Sequence, residues 1–445
     1  MNFKLSSTSS FSFSKINKLA IPAIISGIAE PLLSITDTAI VGNLKINPTE
    51  SLAAVGIAGS FITTIIWILS QSRSAISAII SQYFGANRIK EISNLPSQII
   101  LINLIISAFI YFITIFFIVE IFELYNAKGL VLDNSVAYYK IRALGLPLTL
   151  FTFSIFGVFR GMQNTFWPMI ISIIGALLNV GLDFALIFGI EGFIPELQIE
   201  GAAWASVISQ AVMAILALVL MLKKTPFTLK ISFPFHSEIK RLLSLSLNLI
   251  IRTIALNIAL FLANSYATKY GINYIAAQTI AFQIWLFFAF FIDGYSSVGN
   301  IMSGKLLGER DHKSIWNLSK ILGKYTIIVS IILGGICFLF YTPIGELFSK
   351  DNEVLVLFSG IFWIVIIMQP VNAIAFVFDG IFKGMAEAVI LRNTLLFATF
   401  IGFVPTLLIG DYFNLKLYAI WMAFTVWMIL RGGILIFVFR KKFYK

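Results

Sequence analysis

The sequence predicts an all-α membrane protein: twelve transmembrane helices in two six-helix lobes, related by a pseudo-twofold axis along the membrane normal. Three observations predict it. The 445 residues are 59% hydrophobic and only 12% charged, against roughly a quarter charged in soluble domains. Charge-free apolar windows recur at 51–72, 92–119, 161–182, 201–222, 270–292, 325–345 and 354–378. Each exceeds the ~20 helical residues that cross a hydrocarbon core. Finally, the chain repeats itself at an offset of 223 residues.

The windows lack period-2 alternation, so they read as helices and not as barrel strands. Allowing one internal charge per segment, spans are expected near 15–40, 52–83, 94–120, 136–159, 166–190, 199–222, 240–266, 274–304, 317–342, 354–382, 392–410 and 416–439. Span one follows the polar, Ser-rich MNFKLSSTSSFSFSK, and no A-x-A-like cleavage site comes after it. It therefore reads as retained, not as a signal peptide. Spans two, three, five and six rest on the first four charge-free windows. Span four ends in the block that the chain later repeats. Span seven has Arg252 as its internal charge, spans eight to ten rest on the last three windows, and eleven and twelve close the chain.

The repeat is clearest where PLTLFTFSIFGVFRGM (147–162) aligns with PVNAIAFVFDGIFKGM (370–385). Pro147/Pro370, Gly157/Gly380, Gly161/Gly384 and Met162/Met385 match, and Arg160 faces Lys383. The same offset pairs Ala53-Ala54 with Ala276-Ala277 and Gly85 with Gly308. Two halves follow, 1–222 and 241–445, joined by the polar linker 223–240. Six spans is an even number, so both halves have the same orientation, which calls for an axis along the membrane normal.

Charge sets the expected topology. With both termini on one side, that face receives 22 lysines and arginines and the other face 7, Lys140 and Arg142 among them. By the positive-inside rule both termini are cytoplasmic. The net charge of +11 is then topology plus attraction to anionic lipid headgroups, and nucleic acid is not needed as a partner. Cys337 is the single cysteine, and His236 and His312 are far apart. No intrachain disulfide, thiolate cluster or cofactor is expected, and no metal site beyond a possible Na⁺ at the acids described next.

Five acids sit inside the expected spans: Glu30, Asp37, Asp183, Asp293 and Asp379. A carboxylate at mid-membrane costs about 2.5–3.5 kcal/mol even on the lenient insertion scale. Asn179 and Asp183 are i and i+4, on one face of span five. A carboxylate beside an amide oxygen suits either a bare cation or a proton held by burial. Asp37 lies between Thr36 and Thr38, and Pro31 upstream favours a kink that lets span one take two shapes. Glu30 is expected as a secondary polar group paired with Arg252. Gln278, Gln283, Asp293 and Asp379 complete a second polar set in the C-terminal half. Five acids against three arginines in the spans favour cationic cargo.

These segments resemble the MATE (multidrug and toxic compound extrusion) family, in particular its DinF-like branch. The resemblance is carried by EPLLSITDTAIVGNL (30–44), LAAVGIAG (52–59), FGAN (84–87), Asn179 to Asp183, and GAAWASVISQ (201–210). In the second half it is carried by IAAQTIAFQIW (275–285), Asp293-Gly294, Asp379-Gly380 and FKGMAEAVILRN (382–393). It implies a monomeric H⁺- or Na⁺-coupled antiporter in a bacterial inner membrane, exporting amphipathic, cationic small molecules by alternating access. It places the coupling site at Asp37, Asn179 and Asp183, with Ser206 where threonine is usual. Arg73 in SQSRSAI and a span seven without glutamate depart from the family pattern. The alternative is a flippase or exporter of a lipid-linked or metabolite substrate in the same two-lobed superfamily. A membrane enzyme would need a polar catalytic loop or a His/Asp cluster at one interface, and neither is visible.

Overall fold

The computed structural model describes residues 11–44 and 47–443. Among them the regular structure is helical, apart from one isolated bridge between Ile190 and Ile194. The helices are α1 (Phe13–Val41), α2 (Pro48–Leu69), α3 (Gln71–Gly85), α4 (Leu95–Phe116), α5 (Ile118–Leu124), α6 (Leu130–Arg142), α7 (Gly145–Gly161), α8 (Phe166–Ile187) and α9 (Gln198–Lys224). They continue as α10 (Glu238–Tyr270), α11 (Ile272–Gly308), α12 (His312–Leu339), α13 (Tyr341–Phe348), α14 (Asn352–Ile367), α15 (Gln369–Gly384), α16 (Ala388–Phe397), α17 (Val404–Tyr412) and α18 (Leu417–Phe443). Each of the twelve expected spans falls on one helix or on consecutive helices, as a twelve-helix two-lobe fold requires. The protein is an integral, multi-pass membrane protein.

Local chemistry explains the starts and breaks. Prolines open α2, α4, α15 and α17, where the missing N–H belongs to the unpaired first turn anyway. Two spans are broken helices: α6 and α7 meet at 44°, and α14 and α15 at 48°. Pro147 and Pro370 follow the two breaks, and each removes the backbone bond that would carry the helix across. A π-helical turn, Ala398–Phe403, widens the span between α16 and α17 just before Pro405. The extra residue absorbs the hydrogen bond that proline cannot make, and Thr406 Oγ1 donates to the Gly402 carbonyl at 2.8 Å.

The repeat reappears as packing. A Cβ on Gly157 would meet the Arg73 carbonyl and Ile76, and one on Gly161 would meet Ile80 and the Ser77 carbonyl. Gly380 presses in the same way on Ser296, and Gly384 on Asn300 and Ser303. Arg73/Ser296, Ser77/Asn300 and Ile80/Ser303 are all 223 residues apart. The matched glycines therefore allow α7 to approach α3, and α15 to approach α11, backbone to side chain. Gly85 against Lys305 and Gly308 against Gln82 form a further exchanged pair.

The chain divides into two compact units. One comprises Ile25–Ile80 and Asn87–Leu243. Its core gathers Ile62, Ile66, Phe122, Tyr139, Phe156 and Ile171. Residues 225–237 leave α9 and stay with this unit: Ser97 and Gln98 at the start of α4 donate to the Lys230 and Ser232 carbonyls at 3.0 and 2.7 Å. The other unit takes α1 up to Ile24, Ser81–Ala86 and the chain from Ser244 onward. Its core is aromatic, with Trp285, Phe358, Phe403, Trp421, Phe424 and Trp427.

Candidate functional site

Helix α8 presents one stripe to its unit's interior. Its buried residues are Pro168, Ile171, Ser172, Gly175, Asn179, Asp183 and Ile187, a run of three- and four-residue steps that defines one helix face. Ser172, Asn179 and Asp183 make that face polar. It meets α1 and α9: Ser26 and Ser172 are hydrogen-bonded at 3.2 Å, and α9 supplies Ser206, 4% exposed.

Asp37 accepts from Ser206 Oγ at 2.9 Å. With its oxygen turned toward α9, the Asn179 amide donates to Asp37 Oδ1 at 3.1 Å and accepts from the Ser206 N–H at 3.3 Å. Asp183 is fully buried. Neither of its oxygens meets a donor among the described residues, and the Asp37 carboxyl faces it. Two buried carboxyls in contact cannot both remain ionised without a proton or cation to separate their charges. Asp37, Asn179, Asp183 and Ser206, drawn from three helices, thus stand together.

Three neighbours were not singled out in the sequence. Arg142 ends α6 at the helix break and is 9% exposed. It acts electrostatically on both acids, and its Nη1 donates to Gln210 Oε1 at 3.1 Å. Tyr138, one turn earlier, is buried against Arg142. Arg142, counted in the sequence among the charges of one face, is thus packed inside its unit. The helix ends early, and the bend carries the side chain inward. The signal was available in IRALGLP, where Gly145 and Pro147 announce a break before the arginine can reach the surface.

Asp37, Pro31, Tyr138 and Arg142 line one small cavity of about 30 Å³, with Gly59, Ile62, Thr63, Ile66 and Trp67. That admits a water or a bare ion, whereas drug-sized ligands need roughly 300–1,000 Å³. Pro31 lies within α1, which is continuous from Phe13 to Val41.

The C-terminal set is arranged differently. Asp379 is 2% exposed, and three cations converge on it. Arg252 Nε and Nη2 donate to Oδ1 at 3.1 and 2.7 Å, Arg431 Nη2 lies 3.1 Å from the same oxygen, and Lys383 Nζ lies 2.9 Å from Oδ2. Arg431 also rests over the Phe376 ring at 5.0 Å. Arg252 thus holds Asp379 through two nitrogens on one carboxylate oxygen; its expected partner was Glu30. The Glu30 side chain lies outside the described ones. Lys383, one turn from Asp379, joins the two arginines in this cluster. Asp293 is exposed on α11 but acts on Arg431. Gln283 is exposed on the same helix, whereas Gln278 is fully buried with neither amide atom partnered among the described residues.

Comparison with known proteins accounts for both the fold and the repeat. The MatE family model matches twice, over residues 22–185 and 248–408, and the second match ends 223 residues after the first. DNA damage-inducible protein F of Escherichia coli strain K12 is 26% identical over 429 residues, 95% of this chain and 91% of that protein. The probable multidrug resistance protein NorM of Thermotoga maritima is 26% identical over 446 residues, again 95% and 91%. A crystal structure of MATE in the bent conformation superposes with a TM-score of 0.88 at 21% identity, covering 97% of this chain and 95% of that one. With matches that together span most of both halves, the chain belongs to the MatE family of multidrug efflux transporters.

Proposed function

We propose that this protein is an H⁺- or Na⁺-coupled antiporter that exports amphipathic, cationic small molecules by alternating access. The observation that carries the proposal is the acid pair. Asp37 and Asp183 are 3% and 0% exposed, with Asn179 and Ser206 as neutral neighbours, and the cavity that Asp37 lines is too small for cargo. Such a group stores a proton or a cation; it does not bind a drug. When it is loaded, the charge that demanded polar solvation is gone, and α1 is free to change its bend near Pro31. Ion entry and cargo exit then become alternatives. The termini lie on the cytoplasmic side of a bacterial inner membrane, and the single chain is the working unit.

The test is cargo transport into proteoliposomes under an imposed pH gradient and, separately, an imposed Na⁺ gradient. Transport that follows neither gradient refutes the coupling.

A second reading is favoured by one observation, the three cations around Asp379. Surplus positive charge suits an anionic group on a lipid-linked or metabolite substrate. Efflux of cationic dyes without translocation of an anionic lipid would remove this reading.

A further inference from the structure

Arg142 is held by neutral groups although two acids lie nearby. Its Nη1 donates to Gln210 Oε1 at 3.1 Å, and Tyr138, one turn earlier, is buried and lines the same cavity. The geometry leaves room for this arrangement and little else. A Cβ on Gly145 would overlap the Gln210 amide oxygen and come within 3.2 Å of Arg142 Nη1. The break between α6 and α7 and the glycine that follows it therefore lodge a guanidinium beside the small cavity that Asp37 also lines. Among the described side chains, Asp37, Arg142 and Tyr138 are the charged and titratable groups that line that cavity, and Asp183 faces Asp37. Tyr138 is a neutral phenol at physiological pH.

Two carboxylates and one guanidinium leave a deficit of one positive charge. A single proton shared between the facing carboxyls, or a single monovalent cation, makes the pocket neutral. Without the guanidinium, two would be needed, because a net charge buried away from water is strongly disfavoured.

We infer that Arg142 is a built-in counter-cation that sets the uptake of this pocket at one proton or one monovalent cation per transport cycle. The inference rests on the reading of Asp37 and Asp183 as the coupling site. Arg142 is a positioning and stoichiometry-setting residue; it neither carries the ion nor touches the cargo.

The experiment is a null-point measurement on the full chain in proteoliposomes, with the membrane potential clamped at zero by valinomycin and equal K⁺. A radiolabelled monovalent organic cation that crosses bilayers slowly by itself, tetraethylammonium, serves as cargo. At balance, its concentration ratio across the membrane rises with the ion gradient raised to the number of ions exchanged. For the wild type the expected change is about tenfold in cargo ratio per tenfold ion gradient, one ion in the coupling relation. Arg142→Gln should steepen this toward about a hundredfold, two ions, and Arg142→Lys should restore the wild-type slope. A wild-type slope of two ions overturns the inference without any variant being needed, so a failure of Arg142→Gln to fold does not protect it. A slope of one in well-folded Arg142→Gln also overturns it, while loss of coupling in Asp37→Asn shows that the site reading survives. Intact coupling in Asp37→Asn means that the site reading itself has failed.

Discussion

The two units hold their intramembrane charge in opposite ways. In the first, two acids share one cation, which stands off from them, and the carboxyl of Asp183 meets no donor among the described residues. In the second, one acid holds Arg252, Lys383 and Arg431 within 3.1 Å. Equivalent positions do not carry equivalent chemistry. The 223-residue shift places Gly402 and Thr406 opposite Asn179 and Asp183, Leu260 opposite Asp37, and Ile429 opposite Ser206. Where the first unit has its polar stripe, the second has a π-turn whose threonine satisfies its own backbone. A duplicated scaffold was thus specialised: an under-satisfied cluster is free to change its charge, and an over-satisfied one is locked.

That contrast can be broken by mutation. The largest effect is expected at the under-satisfied acids. Asp183→Asn and Asp37→Asn should each reduce gradient-driven export to the level of empty liposomes. Thermal stability should be almost unchanged, since removing a buried charge does not harm the inserted state. Full export in both would refute the site. Conformational switching offers a second readout: a fluorophore near the start of α1 should report an ion-dependent change in the wild type, and Asp37→Asn should lose it.

Asp379→Asn should do the reverse. Three cations would be left around a neutral amide, and an uncompensated buried charge costs about 3–5 kcal/mol. The expected outcome is a large fall in melting temperature and in yield of folded protein, with the ion dependence of whatever remains unaltered. Adding Arg252→Gln should recover part of the loss. A stable Asp379→Asn protein with altered ion coupling would erase the distinction between the two units.

Smaller effects sharpen the first site. Ser206→Ala removes one hydrogen bond to Asp37, worth about 1 kcal/mol, so the ion concentration for half-maximal transport should shift about fivefold. Ser206→Thr should shift it little. The smallest change is expected from Pro31→Ala, which should slow the initial rate by about threefold as a hinge substitution does, with ion affinity retained. Unchanged rate would mean that α1 does not bend at Pro31 during the cycle.

Much of this was legible in the residues. Apolar runs of membrane-crossing length are sufficient to place spans, because a helix is the segment's own solution to backbone hydrogen bonding in lipid. The repeat was legible because glycines at close approaches and prolines at breaks tolerate no substitute, so Gly157/Gly380 and Pro147/Pro370 survive where the lining has diverged. The Asn179–Asp183 spacing was legible from helix periodicity alone. The inward course of Arg142 was half legible, in the Gly and Pro after it. The commitment of Arg252 to Asp379 was not, since 127 residues separate them and nothing in either neighbourhood names the other.

By itself, then, the sequence determined what each segment can be: which stretches cross the membrane, where helices break, and which helix faces are polar. These follow from interactions within a few residues, and the chain carries them in its periodicity. Only the tertiary structure decided which charges meet. Pairing of buried ionic groups depends on distances of 3–4 Å between helices remote in sequence, and a side chain's worth as ion carrier or as structural anchor is set by the donors that surround it. Asp183 and Asp379 are the same residue on similar helices; the first faces another carboxyl and the second faces three cations, and that difference in surroundings separates an ion carrier from a structural anchor.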